Sequence, residues 1–237
     1  PGYLGRAAGD GRADGALMLR HFTAHTVEQR SDEWRALRAG RVTGSAADAL
    51  LAERKRGAGE LAVRRNLRNQ LVVERLTGIP VEDSAKGAAV QRGIDSEASA
   101  FRAYEARTGQ MVKRSGFLAH NTLAAGASLD GYVGDFAGIL EAKCPNSATH
   151  LAYLMGGTVP DDYRGQILHN LYISGAAWCD FVSYDDRFID PALRLFVVRV
   201  ERDETQMKAY ELMLRTFLTE VDAEVERVQQ SLAGAAA

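Results

Sequence analysis

The chain has 237 residues, of which 46% are hydrophobic, and a formal net charge of −2 at pH 7. This composition suits one sizeable hydrophobic core, and the small net charge does not by itself indicate a nucleic-acid binder. Two cysteines, Cys144 and Cys179, exclude a disulfide framework and any four-cysteine zinc or iron–sulfur site within the chain. No apolar run reaches membrane-spanning length, and a reducing, cytoplasmic location is the simplest interpretation.

The first half of the chain is predicted to be helical. A short helix and a glycine-containing turn precede a helix that opens at Ser45, where Asp48 three residues later predicts a capping box. Helical periodicity then covers residues 60–76 and 90–107, and each stretch ends before a Thr-Gly pair that acts as a stop signal.

The period then changes from helical to alternating, which indicates strands. The strand-like stretches cover residues 111–120, 124–134, 138–144, 179–185 and 193–200. Two helices near 148–155 and 162–174 interrupt them, and an amphipathic helix closes the chain. Its apolar stripe consists of Met207, Tyr210, Leu214, Phe217, Val221 and Val225. This order predicts an α/β (α+β) fold with a central mixed β-sheet flanked by helices, in one domain over 21–237 after a disordered leader at 1–20.

Charge is unevenly distributed along the chain. A basic stretch lies between residues 54 and 68, whereas the C-terminal helix is acidic. This asymmetry is compatible with local phosphate binding or with head-to-tail packing of subunits. The alternative interpretation is that both stretches are solvated helix faces.

Three carboxylates and a lysine form the most informative pattern. The strand GILEAKCPN places Glu141 and Lys143 one residue apart, so both side chains point to the same face. Asp130, in SLDGYVGD, precedes this strand, and hairpin geometry can bring it beside Glu141. Glu97 lies on the apolar face of the predicted helix 90–107 and points toward the core.

Such a group of residues suits phosphodiester hydrolysis. Carboxylate oxygens at one point suit Mg²⁺ or Mn²⁺ rather than zinc. A neighbouring lysine can orient or deprotonate a water molecule, or stabilise charge on a phosphate. A solvent-facing Glu–Lys ion pair is the alternative that the pattern alone leaves open.

The motifs SLDG and GILEAKCP resemble the catalytic motif of PD-(D/E)xK nucleases. The region from Trp34 to about Arg227 resembles the lambda-exonuclease/YqaJ family of phage recombination nucleases. The landmarks occur in the family's order, namely W…LRAGRVTGS, RGIDSE, SLDG, LEAKCP, YRGQ, YDDRF and VERDE. The resemblance implies a restriction-endonuclease-like core. It also implies a 5′→3′ exonuclease that digests one strand of duplex DNA from its end and leaves a 3′ single strand for homologous recombination.

The resemblance also implies roles for the acidic residues. Asp130, Glu141 and the backbone carbonyl of Ala142 would hold one catalytic Mg²⁺ or Mn²⁺. Glu97, together with Asp130, would complete a two-metal site, and Lys143 would act on the attacking water.

A second implied site binds the 5′-phosphate of a DNA end at Arg38, Ser45 and Ser128. The predicted helix N-terminus at Ser45 supports this independently, because backbone N–H groups there favour an anion. Gln166 matches the first glutamine of the family's Gln-x-Gln motif, whereas Leu168 replaces the second.

Two other functions remain open from the sequence. A structure-specific or restriction-type endonuclease is disfavoured by the end-binding residues Arg38 and Ser45. A catalytically silent DNA-end-binding protein is disfavoured because all four catalytic groups are present. The resemblance further implies a homotrimeric ring around DNA, and it leaves room for a single-strand annealing protein as a partner.

Overall fold

Seven α-helices and eight strands make up the described part of the chain. The computed structural model describes residues 20–52, 59–81 and 88–235, so the predicted leader lies outside these ranges except for Arg20. The helices are α1 (Asp32–Arg38), α2 (Ala47–Leu51), α3 (Ala62–Thr77), α4 (Ala88–Thr108), α5 (Ser147–Gly156), α6 (Arg164–Ser174) and α7 (Glu204–Ala235). The strands are β1 (Phe22–His25), β2 (Val112–Lys113), β3 (Phe117–His120), β4 (Gly126–Ala127), β5 (Gly131–Val133), β6 (Gly138–Lys143), β7 (Trp178–Tyr184) and β8 (Leu195–Glu201).

A five-stranded mixed sheet, in the order β2-β5-β6-β7-β8, forms the centre of the molecule. β6 and β7 are parallel and are joined through α5 and α6, whereas the other neighbouring strands are antiparallel. Leu140 of β6 packs with Phe101 and Tyr104 of α4 on one face. Ile139 of β6 packs with Ile167 and other residues of the core that contains α6 and α7. The predicted mixed sheet flanked by helices is confirmed.

A second, smaller sheet with the order β1-β3-β4 was not predicted from the sequence. The stretch 111–120, predicted as one strand, divides into β2 and β3, which belong to different sheets. Gly116 lies at the division, where an added Cβ would stand 2.3 Å from the carbonyl oxygen of His25. The backbone therefore passes too close to β1 for any side chain. Strands as short as β2 and β4 contain too few residues to show alternation.

The predicted capping box at Ser45 is wrong. Gly44–Ala46 form a 3₁₀ turn, and α2 begins after Ala46 without a side-chain cap. The carboxylate of Asp48 instead accepts a hydrogen bond from the backbone of Gly165. An added Cβ at Gly165 would lie 2.1 Å from Asp48 Oδ1. The start of α6 is therefore held directly against α2, which carries the Ser45 turn.

The basic and acidic stretches meet within one chain. Arg64 Nη1 lies 2.7 Å from Glu60 Oε1 and 2.7 Å from Glu220 Oε2. Arg68 Nη1 lies 2.8 Å from the same Glu60 oxygen, and residues 54–56 lie outside the described ranges. Arg64 and Arg68 thus form ion pairs that pack α3 on α7, so the solvated-face interpretation is wrong at these two positions. The subunit-contact interpretation stays a prediction.

α7 covers the larger core with its predicted apolar stripe. Met207, Tyr210, Leu214, Phe217 and Val221 are buried, and Val225 is partly buried against them. The predicted stripe is therefore confirmed. No helix within the described ranges, α7 included, is long and apolar enough to cross a bilayer.

His169 of α6 connects α7 to the smaller sheet. Its Nδ1 accepts a hydrogen bond from the Tyr210 hydroxyl at 2.6 Å, and its Nε2–H donates to the carbonyl oxygen of Gly126 at 2.9 Å. Burial lowers the pKa of His169 to about 4, below its ordinary value of 6.5. The neutral ring is thus the form that the fold requires.

This burial predicts a specific acid sensitivity. The unfolded chain protonates His169 more readily, so its stabilising effect is complete above about pH 6.5 and is lost as the pH falls toward 4. Between pH 7 and 5 the loss is about 2 kcal/mol in the free energy of unfolding. We expect His169→Gln to remove that part of the pH dependence in urea titrations, whereas the exposed His21→Gln retains it. An equal pH dependence in wild type and His169→Gln would contradict the assignment.

Candidate active site

The hairpin formed by β5 and β6 brings Asp130 next to Glu141 of β6, as predicted. Gly131 pairs with Leu140 in antiparallel register, which places the preceding Asp130 beside Glu141 and Ala142. Asp130 Oδ2 accepts the backbone N–H of Ala142 at 2.8 Å. The hydrogen bond from β6 therefore fixes the Asp130 carboxylate at the end of the hairpin.

Glu141 is buried between a lysine and an asparagine. Only 1% of its surface is exposed, and its Oε1 forms a short ion pair with Lys143 Nζ. Its Oε2 accepts a hydrogen bond from Asn170 Nδ2 at 3.2 Å. Burial raises the pKa of Glu141, and the charge of Asp130 adds to this effect, whereas Lys143 and Asn170 oppose it.

Lys143 is a cation in this arrangement. Burial acts to lower its pKa, but the negative charges of Glu141 and Asp130 outweigh burial and raise it above the ordinary value. The ammonium also lies 5.1 Å from the centroid of the Tyr163 ring, within cation–π range. As a cation, Lys143 is suited to orient a water molecule or to stabilise a negative phosphate.

Glu97 approaches the site from α4. Its Oε1 accepts a hydrogen bond from Arg114 Nη1 at 2.6 Å, and its side chain is 19% exposed. Burial and the charge of Asp130 raise the pKa of Glu97, although Arg114 opposes both. The predicted inward orientation is confirmed by the burial of its helical neighbours Phe101 and Tyr104.

The donor set fits a hard cation, although the side chains are engaged with the protein. Within the described ranges, no three Asp, Glu, His or Cys side chains stand close enough together to hold a metal ion as placed. The charge of Asp130 nevertheless raises the pKa of both Glu97 and Glu141, so Asp130 lies within electrostatic range of each of the other two carboxylates. Partly buried carboxylates that repel one another are the kind of oxygen ligand set that a divalent cation neutralises. The Ala142 carbonyl as a further ligand stays a prediction.

Arg38, Ser45 and Ser128 come together in a hydrogen-bonded cluster that also contains Thr43, here named the pocket. Arg38 Nη1 donates to Ser128 Oγ at 2.9 Å, and Nη2 donates to Thr43 Oγ1 at 3.3 Å. Thr43 Oγ1 lies 3.4 Å from Ser45 Oγ. Ser128 is separated from Asp130 only by the buried Leu129, which places this pocket next to the carboxylates.

Three residues that were not predicted as site residues, Trp34, Thr43 and Asn170, contribute to the pocket or to the carboxylate–lysine centre. Trp34 Nε1 donates to Ser128 Oγ at 2.9 Å, and the Arg38 guanidinium lies 4.2 Å from the centroid of the Trp34 ring. Thr43 bridges Arg38 and Ser45. Asn170 lies one helical turn after the predicted Gln166, and this i, i+4 spacing is the sequence signal that could have found it. Gln166 itself lies against the Ser45 turn, with its Cγ 3.1 Å from an ideal Cβ at Gly44.

A carboxylate–lysine centre on a mixed sheet, next to an arginine–hydroxyl pocket, defines a DNA nuclease of the PD-(D/E)xK kind. The model of the YqaJ-like viral recombinase domain family matches residues 33–177, which is more than half of the chain. The chain belongs to this family, and it is a nuclease of the recombination exonuclease kind. No curated protein sequence matches the chain significantly.

Solved structures agree with this assignment. The alkaline exonuclease LHK-Exo from Laribacter hongkongensis is 35% identical, with a TM-score of 0.76, and the match covers 86% of this chain and 100% of that chain. LHK-Exo in complex with dAMP matches over the same shares with a TM-score of 0.77. A phage-related exonuclease from Haemophilus somnus 129PT is 15% identical with a TM-score of 0.59, covers 79% of this chain and 96% of that chain, and supports the fold alone.

Proposed function

We propose that this protein is a metal-dependent 5′→3′ exonuclease that digests one strand of double-stranded DNA from a 5′-phosphorylated end. The product would be a duplex with a 3′ single strand, ready for homologous recombination. The observation that carries the proposal is the pocket of Arg38, Thr43, Ser45 and Ser128 immediately beside the carboxylate–lysine centre. An enzyme that cuts inside DNA has no need to bind a terminal phosphate.

The pocket is suited to a terminal phosphate by charge and by hydrogen bonding. Arg38 presents a planar guanidinium, which can donate two hydrogen bonds to a phosphate. The hydroxyl groups of Thr43 and Ser45 lie within hydrogen-bond distance of each other, and those of Thr43 and Ser128 accept from Arg38. All three hydroxyl groups can turn toward the phosphate oxygens instead. Ser128 precedes Asp130 by two residues. A 5′-phosphate bound at Ser128 would therefore place the first nucleotides of the DNA strand next to Asp130.

The carboxylates supply the second half of the proposed mechanism. Two Mg²⁺ or Mn²⁺ ions per site would be held by Glu97, Asp130, Glu141 and the Ala142 carbonyl. Such ions supply polarisation of the phosphate and activation of water. Lys143, which is paired with Glu141 in the structure, would orient the attacking water and stabilise the negative charge of the phosphate. Asp130 keeps its hydrogen bond to the Ala142 N–H and so holds the site at the end of the hairpin.

The complex of the related LHK-Exo with dAMP supports mononucleotides as the product. A homotrimeric ring around DNA, a single-strand annealing partner and a cytoplasmic location enter the proposal from the family resemblance. Gln166 enters it as a DNA-binding residue because it lies against the Ser45 turn.

End-labelled linear duplex tests polarity, activity and metal dependence together. With Mg²⁺, we expect a label on the 5′-phosphate to be released at once as a mononucleotide, and a 3′ label to remain on progressively shorter strands. A chelator should stop both reactions, and covalently closed circles should remain intact. Cleavage of the circles would favour the endonuclease, early release of the 3′ label would reverse the polarity, and binding without digestion would favour a silent end-binding protein.

A further inference from the structure

Asn170 is buried beneath the catalytic strand with half of its amide unsatisfied. Its surface is 1% exposed, and its Nδ2 donates to Glu141 Oε2 at 3.2 Å. Its Oδ1 is buried and has no hydrogen-bond donor among the described residues. A buried amide oxygen without a donor is unfavourable, and an apolar side chain of similar volume would avoid this cost. The N–H directed at Glu141 is the feature that only the amide provides.

Gly44 connects Asn170 to the phosphate pocket. An ideal Cβ at Gly44 would lie 2.7 Å from Asn170 Oδ1 and 3.4 Å from its Cγ. The backbone of Gly44 lies outside the left-handed region, so other residues could adopt its conformation. Glycine is favoured here by its close neighbours, chiefly Asn170 and in addition Gln166 Cγ at 3.1 Å, and not by its backbone conformation. The turn that contains Thr43 and Ser45 therefore packs directly against Asn170, the hydrogen-bond partner of Glu141.

We propose that Asn170 is a positioning residue for Glu141, and that the Gly44 turn holds Asn170 in place. Asn170 holds Oε2, whereas Oε1 forms the ion pair with Lys143 and would be the oxygen available to a metal ion. Gly44 lies between Thr43 and Ser45 and packs against Asn170. The pocket and the carboxylate–lysine centre are therefore connected by this one buried contact. The inference rests on the proposed function, because it assigns Glu141 as a metal ligand.

The first test replaces Asn170 with alanine and measures binding of Mn²⁺ by calorimetry in the absence of DNA. Loss of a hydrogen-bonding partner behind a metal ligand reduces metal affinity or activity by roughly 10–100-fold. We expect Asn170→Ala to weaken Mn²⁺ binding and to slow single-turnover digestion by such a factor, with unchanged affinity for duplex DNA. Asn69→Ala, on the exposed face of α3, is the matched control and should behave as wild type.

The second test is a double-mutant cycle between the two residues. Gly44→Ala should slow digestion because its new Cβ displaces the Asn170 amide. In Gly44→Ala with Asn170→Ala the 2.7 Å contact with Asn170 Oδ1 is absent and only the Gln166 Cγ contact at 3.1 Å remains. The loss caused by Gly44→Ala should therefore be much smaller in the Asn170→Ala background than in wild type. Gly156→Ala, where an added Cβ meets nothing within 4 Å, is the control for the glycine change. Thermal melting of every variant separates loss of fold from loss of positioning.

The outcomes separate this inference from the proposed function. Wild-type Mn²⁺ affinity in Asn170→Ala, or losses from the two single changes that multiply in the double variant, would overturn the role of Asn170. A wild-type protein that binds Mn²⁺ but digests no DNA would overturn the proposed function, while the binding comparison would still decide the role of Asn170. A wild-type protein that binds no Mn²⁺ would refute both.

Discussion

Replacement of Asp130 by asparagine is expected to abolish DNA digestion while leaving duplex binding intact. Asparagine keeps an oxygen that can accept the Ala142 N–H, so the hairpin is retained. It removes the negative charge that acts on both Glu97 and Glu141. Because a metal ion contributes several kcal/mol to stabilising the transition state, we expect the rate to fall by roughly 10³-fold or more.

Initial rates on linear duplex with Mg²⁺ measure this loss, and gel shifts in a chelator measure DNA binding. Asp135→Asn is the matched control because Asp135 follows in the same hairpin and its side chain is 85% exposed. It should digest DNA like wild type. Digestion by Asp130→Asn at the wild-type rate would show that the metal assignment is wrong, whereas equal loss of binding would indicate a role in DNA affinity.

The second large effect is expected from Arg38→Ala, and it should depend on the DNA end. Arg38 is the cation of the pocket and contacts both Ser128 and Thr43. A charged hydrogen bond contributes about 1.5–3 kcal/mol, so digestion of 5′-phosphorylated ends should slow by roughly 10–150-fold. Ends with a 5′-hydroxyl have no phosphate for Arg38 to bind, so their slower digestion should change little.

Matched duplexes with and without the 5′-phosphate measure this preference as a ratio of rates. Arg35→Ala, on the same helix α1 with its side chain 50% exposed, is the control and should keep the wild-type ratio. Arg38→Lys retains the charge without the planar pair of donors and should give an intermediate ratio. A uniform loss on both kinds of end would remove the argument for a phosphate pocket.

The sequence was most informative where the pattern is local. Helical spacing indicated that Glu97 shares a face with Phe101 and Tyr104, and both aromatic residues are buried. Strand alternation and a short turn indicated that Asp130 would lie beside Glu141, which the β5–β6 register confirms. These predictions needed only the geometry of a single helix or hairpin.

Predictions failed where neighbouring chain segments decide the structure. The strand predicted at 111–120 was divided because the chain at Gly116 passes β1, which lies far away in sequence. Instead of forming a capping box with Ser45, the Asp48 carboxylate accepts a hydrogen bond from the backbone of Gly165 in α6. Local sequence does not state which distant segment will compete for a side chain, and here the distant segment prevailed.

By itself, the sequence determined the family, the mixed sheet and the identity of the acidic and basic groups in the proposed site. Only the tertiary structure decided how those groups are held. It buried Glu141 between Lys143 and Asn170, and it brought Arg38 to Ser128, 90 residues further along the chain. The physical reason is that motifs specify chemistry and local geometry, whereas burial and long-range hydrogen bonds exist only once separate elements have packed.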